Sequence, residues 1–240
     1  PVMPTAIDRG PFIAARPAAE GRVRLQSLLD PARFEGQLPA GRQERGEGWP
    51  SAASGRWFDY PLGVLRAARA AGQLCDGIEL LFGGNLPIGA GLSSSASICV
   101  ATGLAFGEVF GLDLARERLV SAALAAERGF VGVRCGLMDP FAVGHGRPGH
   151  VLWLDCKDAS FAHLPFDGER LVIGVADSGV RRELARGEFN RRVEECGLAF
   201  DVLRRECTDA TCLRDVPIDV LDAVRGLDAT LARRARHVLE

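Results

Sequence analysis

One run of residues constrains this chain more than any other: Gly83-Gly84-Asn85-Leu86-Pro87-Ile88-Gly89-Ala90-Gly91-Leu92-Ser93-Ser94-Ser95-Ala96-Ser97. It follows a short apolar strand pattern, Ile78-Glu79-Leu80-Leu81-Phe82, and opens a segment from Ser94 to Phe110 that reads as a helix. Glycine lets backbone amides approach a ligand with no Cβ in the way, and a helix N-terminus adds N–H donors and partial positive charge. Strand, glycine loop and serine-rich helix start together make a cradle for an anion, and a triphosphate fits that chemistry. The same residues are also compatible with a tight turn and a capped helix, because Ser is a good N-cap. The run is not a P-loop, since no Gly-Lys-Ser/Thr is present, and not a dinucleotide fingerprint, since Ser94 stands where the third glycine belongs.

The rest of the composition narrows the partners. The chain has 240 residues, 47% hydrophobic and 25% charged, with a net charge of −2, enough for one large or two modest globular domains. A pI near 6.2 gives no basic excess for nucleic acid or an anionic membrane surface. Of the 29 basic residues only Lys157 is a lysine, so lysine-dependent phosphate chemistry has a single candidate. Seven cysteines without a C-x-x-C pair, and no signal-peptide pattern, point to a reducing, cytoplasmic setting. The longest apolar stretch, Ala96 to Phe110, is interrupted by Thr102, Gly103 and Glu108, which argues against a membrane helix. Oligomeric state stays open, a monomer being compatible.

Alternating residues punctuated by Pro and Gly predict several short strands within 1–38, then a surface loop over 39–55. Helices are expected at 58–71, 94–110 and 113–128, the last with Asp113 as N-cap and Gly129 as its stop. Strands are expected at 150–156, 161–166 and 170–177, and helices at 188–205, 218–224 and 229–240. The class is α+β, with a domain boundary near the Pro-Phe-Asp-Gly turn that precedes Arg170.

Two carboxylates stand out. Leu119, Val120, Ala123 and Leu124 trace an apolar helix face that Glu127 continues, and a carboxylate there is expensive unless a cation meets it; alternatively, Glu127 sits at a solvated helix end. Asp139 follows Cys135-Gly136-Leu137-Met138 in an apolar stretch and is a candidate general base or hydroxyl-orienting group. It is equally an N-cap candidate for a helix running through Pro140.

The segment Pro87-x-Gly89-x-Gly91-Leu92-Ser93-Ser94-Ser95-Ala96 resembles the ATP-phosphate loop of the GHMP small-molecule kinases, the galactokinase branch in particular. Four further segments are similar to that branch: Arg56-Trp57-Phe58-Asp59-Tyr60, Cys135-Gly136-Leu137-Met138-Asp139, Gly149-His150 through Asp155-Cys156, and Ser178-Gly179-Val180 with Gly187-Glu188-Phe189-Asn190-Arg191-Arg192. Arg233-Arg234-Ala235-Arg236-His237-Val238 matches as well. The resemblance implies a GHMP kinase fold: a ribosomal protein S5 domain 2-like, ATP-binding N-terminal domain at 1–168, incomplete at its start, then the beginning of a ferredoxin-like C-terminal domain at 169–240. It implies ATP-dependent phosphorylation of a sugar, most simply galactose to galactose 1-phosphate, with ATP and Mg²⁺ required.

Residue by residue, the resemblance assigns Pro87, Gly89, Ala90, Gly91, Leu92, Ser93, Ser94 and Ser95 to the phosphates and Trp57 to the adenine. It gives Mg²⁺ to Ser94 and Glu127, catalysis to Asp139, and the sugar to Gly136, Asp139 and Phe189. Two departures bear on the sugar. Pro140 replaces the family's usual Gln, and Phe189 replaces an aromatic that would offer a hydroxyl. They admit another sugar such as L-arabinose or N-acetylgalactosamine, and a non-catalytic sensor on the same fold is the remaining alternative. The family's G-E-H-T-D-Y-N segment would precede Val2 and its glycine-rich motif would follow Glu240, so 240 residues alone are expected to turn over little.

Overall fold

The computed structural model describes residues 1–39, 48–73, 76–176 and 187–240. The chain divides into two compact units, Pro1–Arg182 and Glu183–Glu240.

The first unit is built on a four-stranded sheet. Strands β1 (Pro11–Pro17), β2 (Arg22–Ser27), β3 (Phe34–Gln37) and β4 (Ile78–Gly84) lie in the order β1-β4-β2-β3. β4 runs antiparallel to β1 and parallel to β2, with Leu80 opposite both Ala15 and Leu25. The alternation in these strands sends Val23, Leu25, Ile78, Leu80 and Phe82 to one face. That face meets Leu62 and Leu65 of helix α1 (Asp59–Ala70) and Phe106 of helix α2 (Ser94–Phe110). A second cluster joins Val64 of α1, Cys99 and Val100 of α2, and Leu119 and Ala123 of helix α3 (Arg116–Ala125). Helix α4 (Met138–His145) and the hairpin β5 (His150–Leu154) and β6 (Phe161–Pro165) complete the unit, with Phe141, Leu152 and Leu154 packed on Val120.

The expected elements at 58–71, 78–82, 94–110, 150–156 and 161–166 are present to within two residues, and the strands of 1–38 number three. The helix expected at 113–128 is corrected at both ends. Its cap residue is Ala115, not Asp113. Gly129 does not stop it either, because α3 passes into a π-helical turn, Ala126–Val131, that ends at Gly132 in the left-handed conformation. The strand expected at 170–177 is not formed over 171–176, and Val172 is 93% exposed there. A strand needs a neighbour for its backbone N–H and C=O groups, and none of the described strands pairs with this segment. Residue 177, the Ser178-Gly179-Val180 segment and residues 40–47 of the loop expected at 39–55 lie outside the described residues.

The second unit is helical over its described residues: α5 (Glu188–Leu203), α6 (Ile218–Ala223) and α7 (Ala229–Leu239), with a short 3₁₀ turn at Leu213–Asp215. Its own core gathers Ala199, Leu203, Leu213, Val216, Leu221 and Ala235. Asp228 caps α7 by accepting from the Thr230 and Leu231 amides, and Arg234 of α7 pairs with Glu195 of α5 at 2.8 Å.

Candidate active site

The glycine-serine loop leaves β4 at Gly84 and reaches α2 at Ser94. Its start is pinned to the strand β1 entry: Asn85 N–H donates to the Gly10 carbonyl at 3.2 Å and its Oδ1 accepts from Gly10 N–H at 3.0 Å. Gly89 and Gly91 both have positive φ, 70° and 80°, a conformation in which a side chain is strained. Ser93, the cap residue of α2, is itself left-handed and makes no side-chain cap bond, and the first turn of α2 holds no acidic residue. A helix end of this kind offers its orphan amides to an anion. The start of α2 is therefore not a conventionally capped helix end, and its amides are open to an anion.

Two sets of side chains flank this helix end. Ser94 lines a cavity with Trp57, Phe82, Leu86, Ile88 and Ile98. Trp57 is fixed there because its indole N–H donates to the Ala32 carbonyl at 2.8 Å and its ring meets Phe82 edge-on at 5.2 Å. It thus serves the core and the cavity wall together. The loop before it is held by Asp59, 1% exposed, whose carboxylate accepts from the amides of Ser54, Gly55 and Arg56 and from the Ser54 hydroxyl.

The second set surrounds Glu127, which is only 1% exposed at the start of the π turn. Its carboxylate accepts a hydrogen bond from the Cys135 thiol at 3.2 Å. Burial raises its pKa from the ordinary 4.5, the neighbouring Ser95 and Cys135 side chains pull it down, and the nearby Asp139 charge raises it again. Its neighbours respond in kind. Desolvation and the Glu127 charge push the Cys135 thiol and the Tyr60 phenol each up to about 12. Asp139 sits half-buried inside the first turn of α4, where Leu137 is the cap residue. The capping reading of Asp139 is thereby corrected.

A buried carboxylate whose hydrogen-bond donors are neutral is a poor resting state and a good ligand for a small divalent cation, which takes oxygen donors and completes its shell with water and phosphate. The donor set here, a carboxylate and a hydroxyl at the mouth of an anion cradle, fits Mg²⁺. Of the two serines, Ser95 acts on the Glu127 carboxylate, while Ser94, the expected ligand, lines the Trp57 cavity. Successive residues of a helix start point about 100° apart, so adjacent serines cannot share one target, and spacing alone does not choose between them. Gly136 is exposed with open space around it. Phe189 lies in the second unit, in the first turn of α5 and 39% exposed. Asp59, Asn85 and Cys135 were given no role by sequence, although each stands inside a quoted segment: the Arg56–Tyr60 stretch, the glycine-serine run and the Cys135–Asp139 motif.

Comparison with known proteins defines the class. A family model described as the GHMP kinases N terminal domain matches residues 59–147, the span from α1 through α4. A mevalonate kinase structure from Methanococcus jannaschii shares the fold with a TM-score of 0.54 at 16% identity, covering 95% of this chain and 68% of that one. The chain has the GHMP kinase fold. Within that class it is similar to galactokinases: 36% identical over 241 residues to that of Roseiflexus sp., spanning 99% of this chain and 59% of the relative. The Thermotoga maritima galactokinase is 38% identical over 185 residues, 77% of this chain and 51% of that protein. The crystal structure of Lactococcus lactis galactokinase complexed with galactose aligns with a TM-score of 0.80 at 27% identity, over 98% of this chain and 60% of that chain. This chain spans between half and three fifths of the length of these relatives.

Proposed function

We propose that this chain carries the nucleotide site and the proton-accepting carboxylate of an ATP-dependent galactose kinase. The observation that carries the reading is the buried Glu127 carboxylate, 1% exposed and held by the Cys135 thiol, with Ser95 of the open start of α2 and Asp139 both acting on it. In this reading the amides of Gly89–Ser95 hold the phosphates, and Trp57 borders the adenine in the cavity it lines with Ser94. Ser95 and Glu127 would hold Mg²⁺, which when bound neutralises charge on the phosphates.

Asp139 orients the anomeric hydroxyl of the sugar and accepts its proton as the hydroxyl oxygen bonds to the γ-phosphorus; the bond from that phosphorus to the bridging oxygen breaks and ADP leaves. Little covalent work falls to the protein, so catalysis is positioning and charge stabilisation. Galactose is favoured by the galactokinase relatives and by the galactose held in the Lactococcus lactis structure. Gly136 is its proposed neighbour, and Phe189 is given to the sugar by the resemblance alone. Phe189 brings no hydroxyl, so discrimination between sugars rests on other groups.

The test is ADP release with galactose, arabinose and N-acetylgalactosamine, alongside calorimetric binding of MgATP. In the protein extended to the length of its relatives, Asp139→Ala should lower turnover by at least about 10²-fold and leave MgATP binding in place. Failure of the extended wild type to bind MgATP, or equal turnover by the variant, would sink this reading.

A further inference from the structure

We propose that Cys135 is a positioning residue for Glu127, holding its carboxylate in the orientation from which it meets a divalent cation. The role rests on the MgATP reading of the site. Its basis is a two-bond clamp. The Cys135 thiol donates to Glu127 Oε2 at 3.2 Å, and the Cys135 carbonyl accepts from Arg128 Nε at 2.8 Å. Consecutive residues of the π turn are thus tied, one by side chain and one by backbone, to the same residue of the segment that leads to Asp139. Bending away of either strand of the clamp would turn the Glu127 carboxylate as well.

The chemistry of the donor matters as much as its place. Glu127 is buried, and a carboxylate with three rotatable bonds needs a partner to keep one orientation. A Lys or Arg in that position would fix it and also neutralise it, competing with the cation. A thiol is a weak, uncharged donor, so it orients the carboxylate and leaves its charge for the metal. Ser95 completes the arrangement from α2. The thiol reaches Glu127 from the 135–139 segment.

Two measurements on the full chain test this. In the metal-free protein, Glu127→Gln keeps the side chain's shape but weakens the acceptor, and alkylation of Cys135 by iodoacetamide, mapped by peptide mass spectrometry, should speed up several-fold. An unchanged rate would overturn the clamp whatever reaction the protein performs. In the second, Mn²⁺ affinity in the presence of ATP is read by electron paramagnetic resonance. Cys135→Ala should weaken it by roughly fivefold or more, and Cys135→Ser, which restores a neutral donor, should bring it back to within about twofold of wild type, both variants melting close to the wild-type temperature. Equal affinity in all three proteins would overturn the positioning role and leave the MgATP reading standing. No Mn²⁺ binding by the wild type, with accelerated alkylation in Glu127→Gln, would instead overturn the MgATP reading, and the positioning role with it.

Discussion

Ser94 and Ser95 are neighbours in the chain with different surroundings, one on the Trp57 cavity and the other on Glu127. Ser95→Ala is therefore expected to weaken Mn²⁺ binding more than Ser94→Ala, and the reverse order in a metal titration would reinstate the sequence assignment. Glu127 supplies a sharper residue-scale prediction. Its folded pKa is raised, chiefly by burial, above the ordinary 4.5. A carboxylate of that kind favours folding while protonated and loses that contribution as pH rises through its folded pKa. Metal-free Glu127→Gln should accordingly melt above the wild type at pH 7 to 8, the gap closing toward pH 4.5. Saturating MgATP should reverse the order, since ligand at about 100 times Kd adds roughly 2.7 kcal/mol to the form that binds it. A pH-independent difference in melting would show that Glu127 does not ionise in this setting.

Among the elements, the π turn at Ala126–Val131 decides where Glu127 goes. Its i→i+5 pattern inserts an extra residue in the turn, which lets Glu127 stay buried while Phe130 still packs against the sheet core and under Arg66, 5.0 Å from its ring centre. The turn is backed by Gly63 of α1, where a Cβ would lie 2.8 Å from Ala126 Cβ and 2.9 Å from its Cα. Neither contact is with the end of a flexible side chain, so the turn itself would have to shift. Gly63→Ala should cost about 1–3 kcal/mol of stability, measured by urea denaturation, and weaken Mn²⁺ binding along with it. Full stability in that variant would mean that α1 and the π turn slide past one another freely. The helical pattern of 113–128 announced an amphipathic helix but not this turn, because backbone hydrogen-bond slippage depends on what packs against it.

For the molecule as a whole, the link between α4 and the β5–β6 hairpin carries a pH dependence. His145 is buried, stacked on Phe141 at 4.9 Å and tilted against Phe161 at 4.7 Å, and its Nε2 has no hydrogen-bond partner among the described residues. Burial lowers its pKa from 6.5, with Arg116 and His163 also lowering it and Glu117 opposing. His163 of β6 in turn bonds the His145 carbonyl at 2.8 Å. A histidine held neutral contributes its full stabilisation above the unfolded value near 6.5 and loses it as pH falls below that toward its folded pKa. Chemical denaturation at pH 7.5 and 5.5 should then show the wild type losing more stability than His145→Phe. Parallel losses would rule out His145 as the source.

Most of what is local was legible in the sequence. The strand, glycine loop and helix start of 78–97 were determined by apolar alternation, by positions that tolerate positive φ and by a serine-rich helix end, all properties of a few adjacent residues. The α+β class and the GHMP kinase likeness followed from the same segments. Tertiary structure alone decided that Leu137 and not Asp139 stands at the cap of α4 and that Cys135 clamps the π turn. It also left 171–176 without a partner among the described strands. Each of these depends on where a second element lies, and hydrogen bonds and burial between residues far apart in the chain are set by packing, which no window of adjacent residues encodes.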